Sequence, residues 1–460
     1  MLRETRVENG FVRGVASADP RVTVYKGIPY AAPPVGKNRW RAPQPCEDWE
    51  GTYLANEFAP ISMQDQPGVG TDVYCKEWHV DKDIPMDEDC LYLNVWTPAN
   101  STDEKLPVVV WYFGGAFQWG YTAEMEFDGE RLARRGIIVV SINYRLAVMG
   151  FLCHPEITKE NPDAPANFGL LDQQAGLHWV YRNIAAFGGD PEKITIAGQS
   201  AGGGSVLQQL TCDDNKDIVK GAVIYSGMIN MDGLPGDIFN PLTLEEAEKN
   251  GEAFFEYMGV KTLEEARQID AAKVRDLYGE YSPMNFSPDG PPDLSKKMFP
   301  IIDGIHYVGN PLTLLEEGHC PDVPVIAGYT SDEFTFGGVN IVEKSVNTSV
   351  SKAIVNDKAA GRNRKFYCYN FDPDIPGEDN PGTFHSVDLW FWFETISKCW
   401  RPFRGRHYDL ARKMANYFAD FVKTGNPNGL DDDGTAMEEW KAYSSSEDVL
   451  RLHSGNPARK

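Results

Sequence analysis

The segment Gly198-Gln199-Ser200-Ala201-Gly202 constrains the fold of this chain more strongly than any other part of the sequence. The apolar run at residues 193–197 has the composition of a β-strand, and residues 203–210 have that of a helix. A Gly-x-Ser-x-Gly pattern between a strand and a helix is typical of a sharp turn that exposes the serine hydroxyl above a sheet. The two glycines allow the backbones to pack closely, because neither carries a Cβ. The segment therefore predicts a strand–turn–helix unit with Ser200 as a nucleophile.

The rest of the chain supports an α/β fold. Because 43 glycines are present, the serine pattern alone also fits a glycine-rich loop with a helix-capping serine. Further apolar runs of strand type occur at residues 106–112, 137–144, 222–225 and 323–327. Helical spacing occurs between residues 167 and 187 and again at Leu410, Met414, Phe418 and Phe421. Strands that alternate with helices predict an α/β protein with a central, mostly parallel sheet flanked by helices.

The segment from about residue 231 to residue 321 has a different character. It contains proline-rich stretches and two strongly charged segments with helical spacing, at residues 244–258 and 263–278. No linker of distinct composition marks a domain boundary. We therefore expect a single domain over residues 1–460, with this segment as a helical lid or insertion above the sheet.

The composition excludes several classes of function. A formal net charge of −23 argues against nucleic-acid binding, which requires clustered Lys and Arg. No apolar segment is long enough to span a membrane, and the first residues lack an apolar signal region. A cytoplasmic location is therefore expected. A chain from which a secretory signal peptide had already been removed would carry the same residues. The eight cysteines form no Cys-x-x-Cys pair and no cluster with histidine, so neither a metal nor a cofactor is predicted.

A serine nucleophile requires a base, a carboxylate that orients the base, and donors that stabilise an oxyanion. When the serine lies on a strand–turn–helix unit, the carboxylate and then the histidine follow it along the chain. Asp332 and Glu333 both come just after the predicted strand at residues 323–329, and spacing alone does not choose between them. The histidines that follow Ser200 are His306, His319, His385, His407 and His453.

Two long motifs extend well beyond the serine. Residues 187–202 run from Phe-Gly-Gly-Asp-Pro through Ser200, and residues 88–96 read Glu-Asp-Cys-Leu-Tyr-Leu-Asn-Val-Trp. Shorter motifs occur at residues 25–31, 300–304 and 423–429. With these motifs, and over nearly its whole length, the chain resembles the type-B carboxylesterase/lipase family, which includes the cholinesterases. The resemblance implies the α/β-hydrolase fold and hydrolysis of carboxylic esters.

The resemblance also implies which residues form the catalytic triad with Ser200. The acid falls on Glu333, although this chain reads Asp-Glu-Phe where the family reads Asp-Glu-Gly, and Asp332 stays as the alternative. The base falls on His385, in the Gly-x-x-His-x-x-Asp-Leu pattern at residues 382–389. His385 also completes the chain order that the triad requires, and the other histidines are interpreted as structural.

An oxyanion hole is expected from backbone N–H groups on two loops. One donor is Ala201, the residue after the nucleophile, whose amide begins a helix. The resemblance places the other donors at Gly115 and Ala116, in the glycine-rich loop after the strand at residues 106–112. Family members usually carry a third glycine at the position of Ala116. We therefore expect the φ of Ala116 to be negative or mildly strained.

Some aromatic and polar residues bear on the choice of substrate. Gln199 stands where cholinesterases carry Glu, which argues against choline esters. Trp78 lies roughly where cholinesterases place a cation-binding tryptophan, but its offset from the second motif differs. Five further tryptophans are candidates for a substrate gorge, although most are expected in the core: Trp111, Trp119, Trp390, Trp392 and Trp400.

Other positions concern the support of the site and the cysteines. Ser226 and Asp388 resemble family positions that support the catalytic histidine. Family members often pair the cysteine of the second motif with an upstream cysteine, near the position where this chain has Ser62. That partner is absent here. Cys90 is therefore expected to be free, with Cys75 as its nearer alternative partner.

We expect the chain to be a serine carboxylic ester hydrolase that forms an acyl-enzyme and acts on small to medium carboxylic esters. An inactive, esterase-like binding protein is the alternative from another class, because a shared fold does not guarantee function. The same chemistry on amides, thioesters or lipids is a second alternative. The expected partner is a small-molecule ester, and the choice between monomer and homodimer stays open.

Overall fold

A computed structural model of the chain describes residues 1–229, 241–283, 295–336 and 338–455. The strands are β1 (Glu4–Val7), β2 (Gly10–Arg13), β3 (Val15–Ala16), β4 (Thr23–Pro29), β5 (Thr52–Leu54), β6 (Tyr92–Thr97), β7 (Leu106–Tyr112), β8 (Ile138–Ile142), β9 (Gly189–Gln199), β10 (Val219–Tyr225), β11 (Val325–Thr330), β12 (Thr335–Phe336), β13 (Val339–Asn340), β14 (Phe366–Phe371) and β15 (Leu450–Leu452). The helices are α1 (Val73–Glu77), α2 (Glu130–Ala133), α3 (Ala147–Phe151), α4 (Pro155–Glu160), α5 (Phe168–Asn183), α6 (Ala201–Leu210), α7 (Leu244–Met258), α8 (Leu263–Arg267), α9 (Ala271–Tyr281), α10 (Pro311–Glu317), α11 (Ile341–Ala359), α12 (Leu389–Trp392) and α13 (Gly405–Thr424).

The central sheet has ten strands in the order β15-β14-β11-β10-β9-β7-β8-β6-β4-β3. From β15 to β8 every neighbouring pair is parallel. Strands β6, β4 and β3 extend the other edge in antiparallel pairs. Strands β1, β2 and β5 form a separate small sheet, as do β12 and β13. The predicted α/β fold with a mostly parallel central sheet is confirmed.

The core lies on both faces of the central sheet. In β7, Val109 and Trp111 belong to one buried cluster, and Val108 and Val110 belong to a second. Successive side chains of a strand point to opposite faces, so each cluster fills one side. Helices α12 and α13 contribute to the first cluster, and α6 and α11 contribute to the second. Helices on both sides explain why these strands are continuously apolar.

Most predicted elements are present, but one predicted helix is wrong. Strand β7 and helix α7 have the predicted bounds, and α13 buries all four residues that marked it. The single helix expected at residues 263–278 is instead divided into α8 and α9. The division occurs because the side chain of Asp270 accepts hydrogen bonds from the N–H groups of Ala272 and Lys273, which starts a new helix.

The predicted lid is described only in part, because residues 231–240 and 284–294 lie outside the described residues. Its described part includes α7, α8, α9 and α10. Tyr278 of α9 donates a hydrogen bond to Oε1 of Gln118, at 3.2 Å. The Gln118 side-chain amide donates to the carbonyl of Met298, at 2.9 Å. The segment is thus bonded to the loop that follows β7. Its role as a lid, and the single-domain organisation, stay predictions.

Candidate active site

Four loops meet at one edge of the central sheet. Strands β7, β9, β11 and β14 are parallel neighbours or near neighbours, so their carboxyl ends lie on the same side. Ligands of open α/β sheets bind at this edge. Ser200 follows β9 directly, Gly114 and Gly115 follow β7, Glu333 follows β11, and His385 lies in the loop after β14.

Ser200 occupies the sharp turn that the sequence predicts. Its backbone has φ +56° and ψ −123°, between the end of β9 and the start of α6. A Cβ on Gly198 would lie 2.2 Å from the carbonyl oxygen of Gly202, and a Cβ on Gly202 would lie 2.0 Å from that of Tyr112. Both glycines are therefore required by close backbone approach.

Glu333 and His385 are in direct contact. Oε2 of Glu333 lies 2.6 Å from Nδ1 of His385, and both side chains are buried. The N–H of Thr330 donates to the other oxygen of Glu333, at 3.2 Å. Asp332 faces elsewhere, because its Oδ2 accepts hydrogen bonds from the N–H and hydroxyl of Thr383, at 2.7 and 3.0 Å. The geometry favours Glu333 over Asp332 as the partner of His385.

The second ring nitrogen of His385 faces Gln199. The two Nε2 atoms lie 3.3 Å apart, and the Gln199 amide also donates to Oγ of Ser386, at 2.7 Å. Because Nδ1 of the neutral ring donates to a carboxylate, Nε2 is the acceptor. In the described part of the chain, Ser200 Oγ makes no hydrogen bond with this nitrogen. Hydrogen bonds of unliganded catalytic sites are often long and shorten only when substrate binds.

The expected oxyanion donors lie on two loops beside Ser200. A Cβ on Gly114 would lie 3.2 Å from Cβ of Ser200, so the loop after β7 packs against Ser200. Among the described residues, no hydrogen-bond acceptor pairs with the N–H groups of Gly115, Ala116 and Ala201. Ala116 has a φ of +53°. This left-handed backbone is the mildly strained alternative that the sequence allows, and it costs about 1–3 kcal/mol in a residue other than glycine.

Asp388 lies behind the histidine and is completely buried. Its Oδ2 accepts hydrogen bonds from the hydroxyl of Tyr369, at 2.8 Å, and from the indole of Trp392, at 3.2 Å. Burial raises the pKa of Asp388 to about 6, although the Tyr369 hydrogen bond opposes this. Oδ1 of Asp388 and Oγ of Ser226 have no hydrogen-bond partner among the described residues. The supporting role of Ser226 and Asp388 stays a prediction.

Sequence reasoning missed the contacts of Phe334 and Gln199 with the histidine. The ring centroid of Phe334 lies 4.5 Å from that of His385. The only signal in the sequence is an aromatic residue directly after the acid, where the family has glycine. For Gln199 the sequence shows only that the negative charge of the cholinesterase Glu is absent at this position. The hydrogen bond to Nε2 depends on side-chain directions that the sequence does not specify.

The candidate gorge tryptophans mostly belong to the core, as expected. Trp111, Trp390 and Trp392 are completely buried, or nearly so. Trp400 is 53% exposed, and the indole of Trp119 donates to Asp65, at 2.9 Å. All eight cysteines are free, including Cys75 and Cys90.

The described residues contain neither a membrane-spanning helix nor a metal-binding cluster. None of their helices combines the length and apolar character of a membrane span. Within the same ranges, no group of three or more His, Cys, Asp or Glu side chains is arranged to hold a metal ion.

Comparisons with known sequences agree with this architecture. A profile of the Carboxylesterase family matches residues 3–360 and 343–459. The chain is 37% identical to the cholinesterase of Mus musculus, over 71% of this chain and 53% of that protein. It is 34% identical to the fumonisin B1 esterase of Sphingopyxis macrogoltabida, over 72% of this chain and 56% of that protein. These two alignments thus span about half the length of each relative.

Longer alignments and solved structures point the same way. The chain is 30% identical to the para-nitrobenzyl esterase of Bacillus subtilis, over 94% of this chain and 91% of that protein. A structure of PNB esterase superimposes with a TM-score of 0.79 at 27% identity, over 99% of this chain and 96% of that one. The carboxylesterase of Geobacillus stearothermophilus gives a TM-score of 0.77 at 27% identity, over 98% and 96%. The chain therefore belongs to the carboxylesterase family and has an α/β-hydrolase fold.

Proposed function

We propose that this chain is a serine carboxylic ester hydrolase in which Ser200, His385 and Glu333 form the catalytic triad. The observation that carries the proposal is the 2.6 Å contact between His385 and Glu333 at the sheet edge where the Ser200 turn also lies. Membership of the carboxylesterase family and relatives named as esterases support it. Small to medium carboxylic esters are the proposed substrates.

In the first half of the reaction, Nε2 of His385 takes the proton of Ser200 as Oγ attacks the ester carbonyl carbon. Glu333 stabilises the imidazolium that forms. The N–H groups of Gly115, Ala116 and Ala201 bind the oxyanion of the tetrahedral intermediate. Loss of one such donor typically costs about 10²–10³ in rate.

In the second half, the bond between the carbonyl carbon and the alcohol oxygen breaks. His385 gives its proton to that oxygen, the alcohol leaves, and the acyl group stays on Ser200. Water then attacks the acyl-enzyme while His385 takes one of its protons. The second tetrahedral intermediate collapses, Ser200 recovers its proton, and the carboxylic acid leaves.

The first test replaces the nucleophile. We expect Ser200→Ala to reduce the turnover of a p-nitrophenyl ester about 10⁶-fold, because the acyl-enzyme cannot form. Circular dichroism should be unchanged. The matched control is Ser351→Ala, which removes from α11 a hydroxyl that contacts the hydroxyl of Tyr443, and it should keep full activity.

A mass-labelled phosphonate distinguishes an enzyme from a binding protein. The intact chain should gain one adduct, on Ser200, and Ser200→Ala should gain none. Equal rates of ester hydrolysis by Ser200→Ala and the intact chain would contradict the proposal. A panel of amides, thioesters and long-chain esters then tests the alternative substrates.

A further inference from the structure

Phe334 covers one face of the histidine but stays within reach of solvent. It directly follows Glu333, and its ring is tilted by 38° to the imidazole at a centroid separation of 4.5 Å. The residue is nevertheless 37% exposed, whereas His385 is only 7% exposed. One part of the ring therefore packs on the imidazole, and the remainder is free to contact another molecule.

The neighbours of His385 define what lies next to the leaving alcohol. A general acid must come within about 3 Å of the atom that it protonates. In the proposed reaction that atom is the alcohol oxygen, so the group attached to this oxygen must lie beside the side chains that surround the imidazole. We call this region the alcohol side of the site.

Further aromatic residues pack around the residue that precedes His385. Phe384 immediately precedes His385 and is half-buried. The ring of Trp78 stacks on it at a centroid separation of 6.2 Å, and the ring of Tyr74 lies 6.3 Å from it. Of these four aromatic residues, Phe334 is the most exposed.

The charges on the alcohol side disfavour a cationic alcohol. The group at Nε2 of His385 is the neutral amide of Gln199. The guanidinium of Arg401 already lies 5.6 Å from the centroid of the Phe384 ring. Two carboxylates bind this guanidinium, Glu77 at 2.6 Å and Asp379 at 3.0 Å. Glu333 is bound to His385. A cationic alcohol would therefore meet a Phe384 ring that already contacts a cation.

We propose that Phe334 is a specificity-determining residue, and that the alcohol side accepts esters of neutral aromatic or apolar alcohols. The inference rests on the proposed function, because His385 must protonate the alcohol for its neighbours to select that alcohol. An aromatic alcohol gains ring contacts with Phe334, and a short aliphatic alcohol does not.

Kinetics with matched esters test the proposal. The intact chain should have a higher kcat/KM for benzyl acetate than for ethyl acetate. Phe334→Ala should lower the ratio of these two kcat/KM values about tenfold. Phe334→Leu keeps apolar area and should lower it less. The ratio of kcat/KM for ethyl butyrate to kcat/KM for ethyl acetate depends on the acyl group and should not change. The control is Phe11→Ala, which removes a phenylalanine that is 43% exposed on β2.

Binding to the Ser200→Ala variant separates specificity from chemistry. Saturation-transfer NMR should detect benzyl alcohol but not ethanol, and Phe334→Ala in the same background should remove the benzyl alcohol signal. If the intact chain hydrolyses esters but Phe334→Ala leaves both the ratio and the binding unchanged, the inference is overturned and the proposed function stands. A preference for a trimethylammonioethyl ester over benzyl acetate also overturns it. If benzyl alcohol binds through Phe334 but no ester is hydrolysed, the proposed function fails instead.

Discussion

Two adjacent carboxylates have different tasks at the site. The buried oxygens of Glu333 bind the imidazole of His385 and the N–H of Thr330. Asp332 binds the N–H and hydroxyl of Thr383, and so joins the loop after β11 to the loop that carries the histidine. Only Glu333 contacts His385, so only Glu333 is placed to orient it.

The two carboxylates therefore respond differently to neutral amides. We expect Glu333→Gln to lower kcat by about 10³–10⁴, because an amide does not stabilise the imidazolium and favours the wrong tautomer of the base. Asp332→Asn keeps one acceptor for Thr383 and should lower kcat less than tenfold. Initial rates with a p-nitrophenyl ester measure both. A larger loss in Asp332→Asn would assign the orienting role to that residue.

The sequence indicates candidate residues for the proposed site, but it does not indicate their contacts. Ser200 was indicated by its flanking strand and helix, and Glu333 and His385 by motif and chain order. The contact of His385 with Gln199 was not predicted, because it depends on how a loop after β14 lies across the end of β9. The left-handed backbone of Ala116 was left open for a similar reason, since only the folded loop determines it.

Helix α12 begins immediately after a buried acid. Asp388 precedes Leu389 and is completely buried, with hydrogen bonds from Tyr369 of β14 and Trp392 of α12. These bonds join a strand and a helix just after the loop of His385. Burial raises the pKa of Asp388 from 3.8 to about 6 although both hydrogen bonds oppose this, so the folded chain retains the proton of this carboxyl to higher pH.

This raised pKa predicts a pH-dependent difference in stability. The folded chain holds the Asp388 proton to higher pH than the unfolded chain, so the stabilisation is present below about pH 4 and is lost as the pH rises through about 6. Asp388→Asn keeps an oxygen acceptor and carries no charge. It should be more stable than the intact chain at pH 8, by about 1–3 kcal/mol, and the difference should vanish near pH 4. Urea unfolding at several pH values measures this, and an equal difference at all pH values would contradict it.

Among both helices and strands, some bounds were predicted correctly and others were not. The bounds of α7 were right because Thr243 and Glu246 cap its start and Gly259 ends it. The division between α8 and α9 was missed, because the helical spacing of apolar residues continues across the cap at Asp270. Strand β9 begins at Gly189, earlier than expected, because it pairs there with Leu106 of β7.

The whole molecule combines an apolar core with a strongly negative charge. The two buried clusters on either face of the sheet account for the α/β class that the sequence predicted. The small sheet of β1, β2 and β5 was not predicted, because pairing between distant short strands leaves little signal in the sequence. The expected cytoplasmic location stays a prediction.

The net charge of −23 predicts how salt affects encounter with charged esters. A negative surface concentrates cations and repels anions, and salt screens both effects. Between about 0.01 and 0.5 M salt, kcat/KM should fall roughly two- to tenfold for a cationic ester and rise for an anionic one. A neutral ester of similar size should change little. Initial rates at constant pH measure all three, and a common trend would show that charge does not control encounter.

The backbone of Ser200 has a consequence for how this chain can change under selection. Its φ of +56° and ψ of −123° suit glycine, and they cost other residues about 1–3 kcal/mol. Glycine at this position would recover that free energy but would remove the proposed nucleophile. In a library of variants screened for thermal stability alone, glycine would accumulate at position 200. A screen for ester turnover would retain serine, so the two pressures are opposed at the residue on which the proposed chemistry depends.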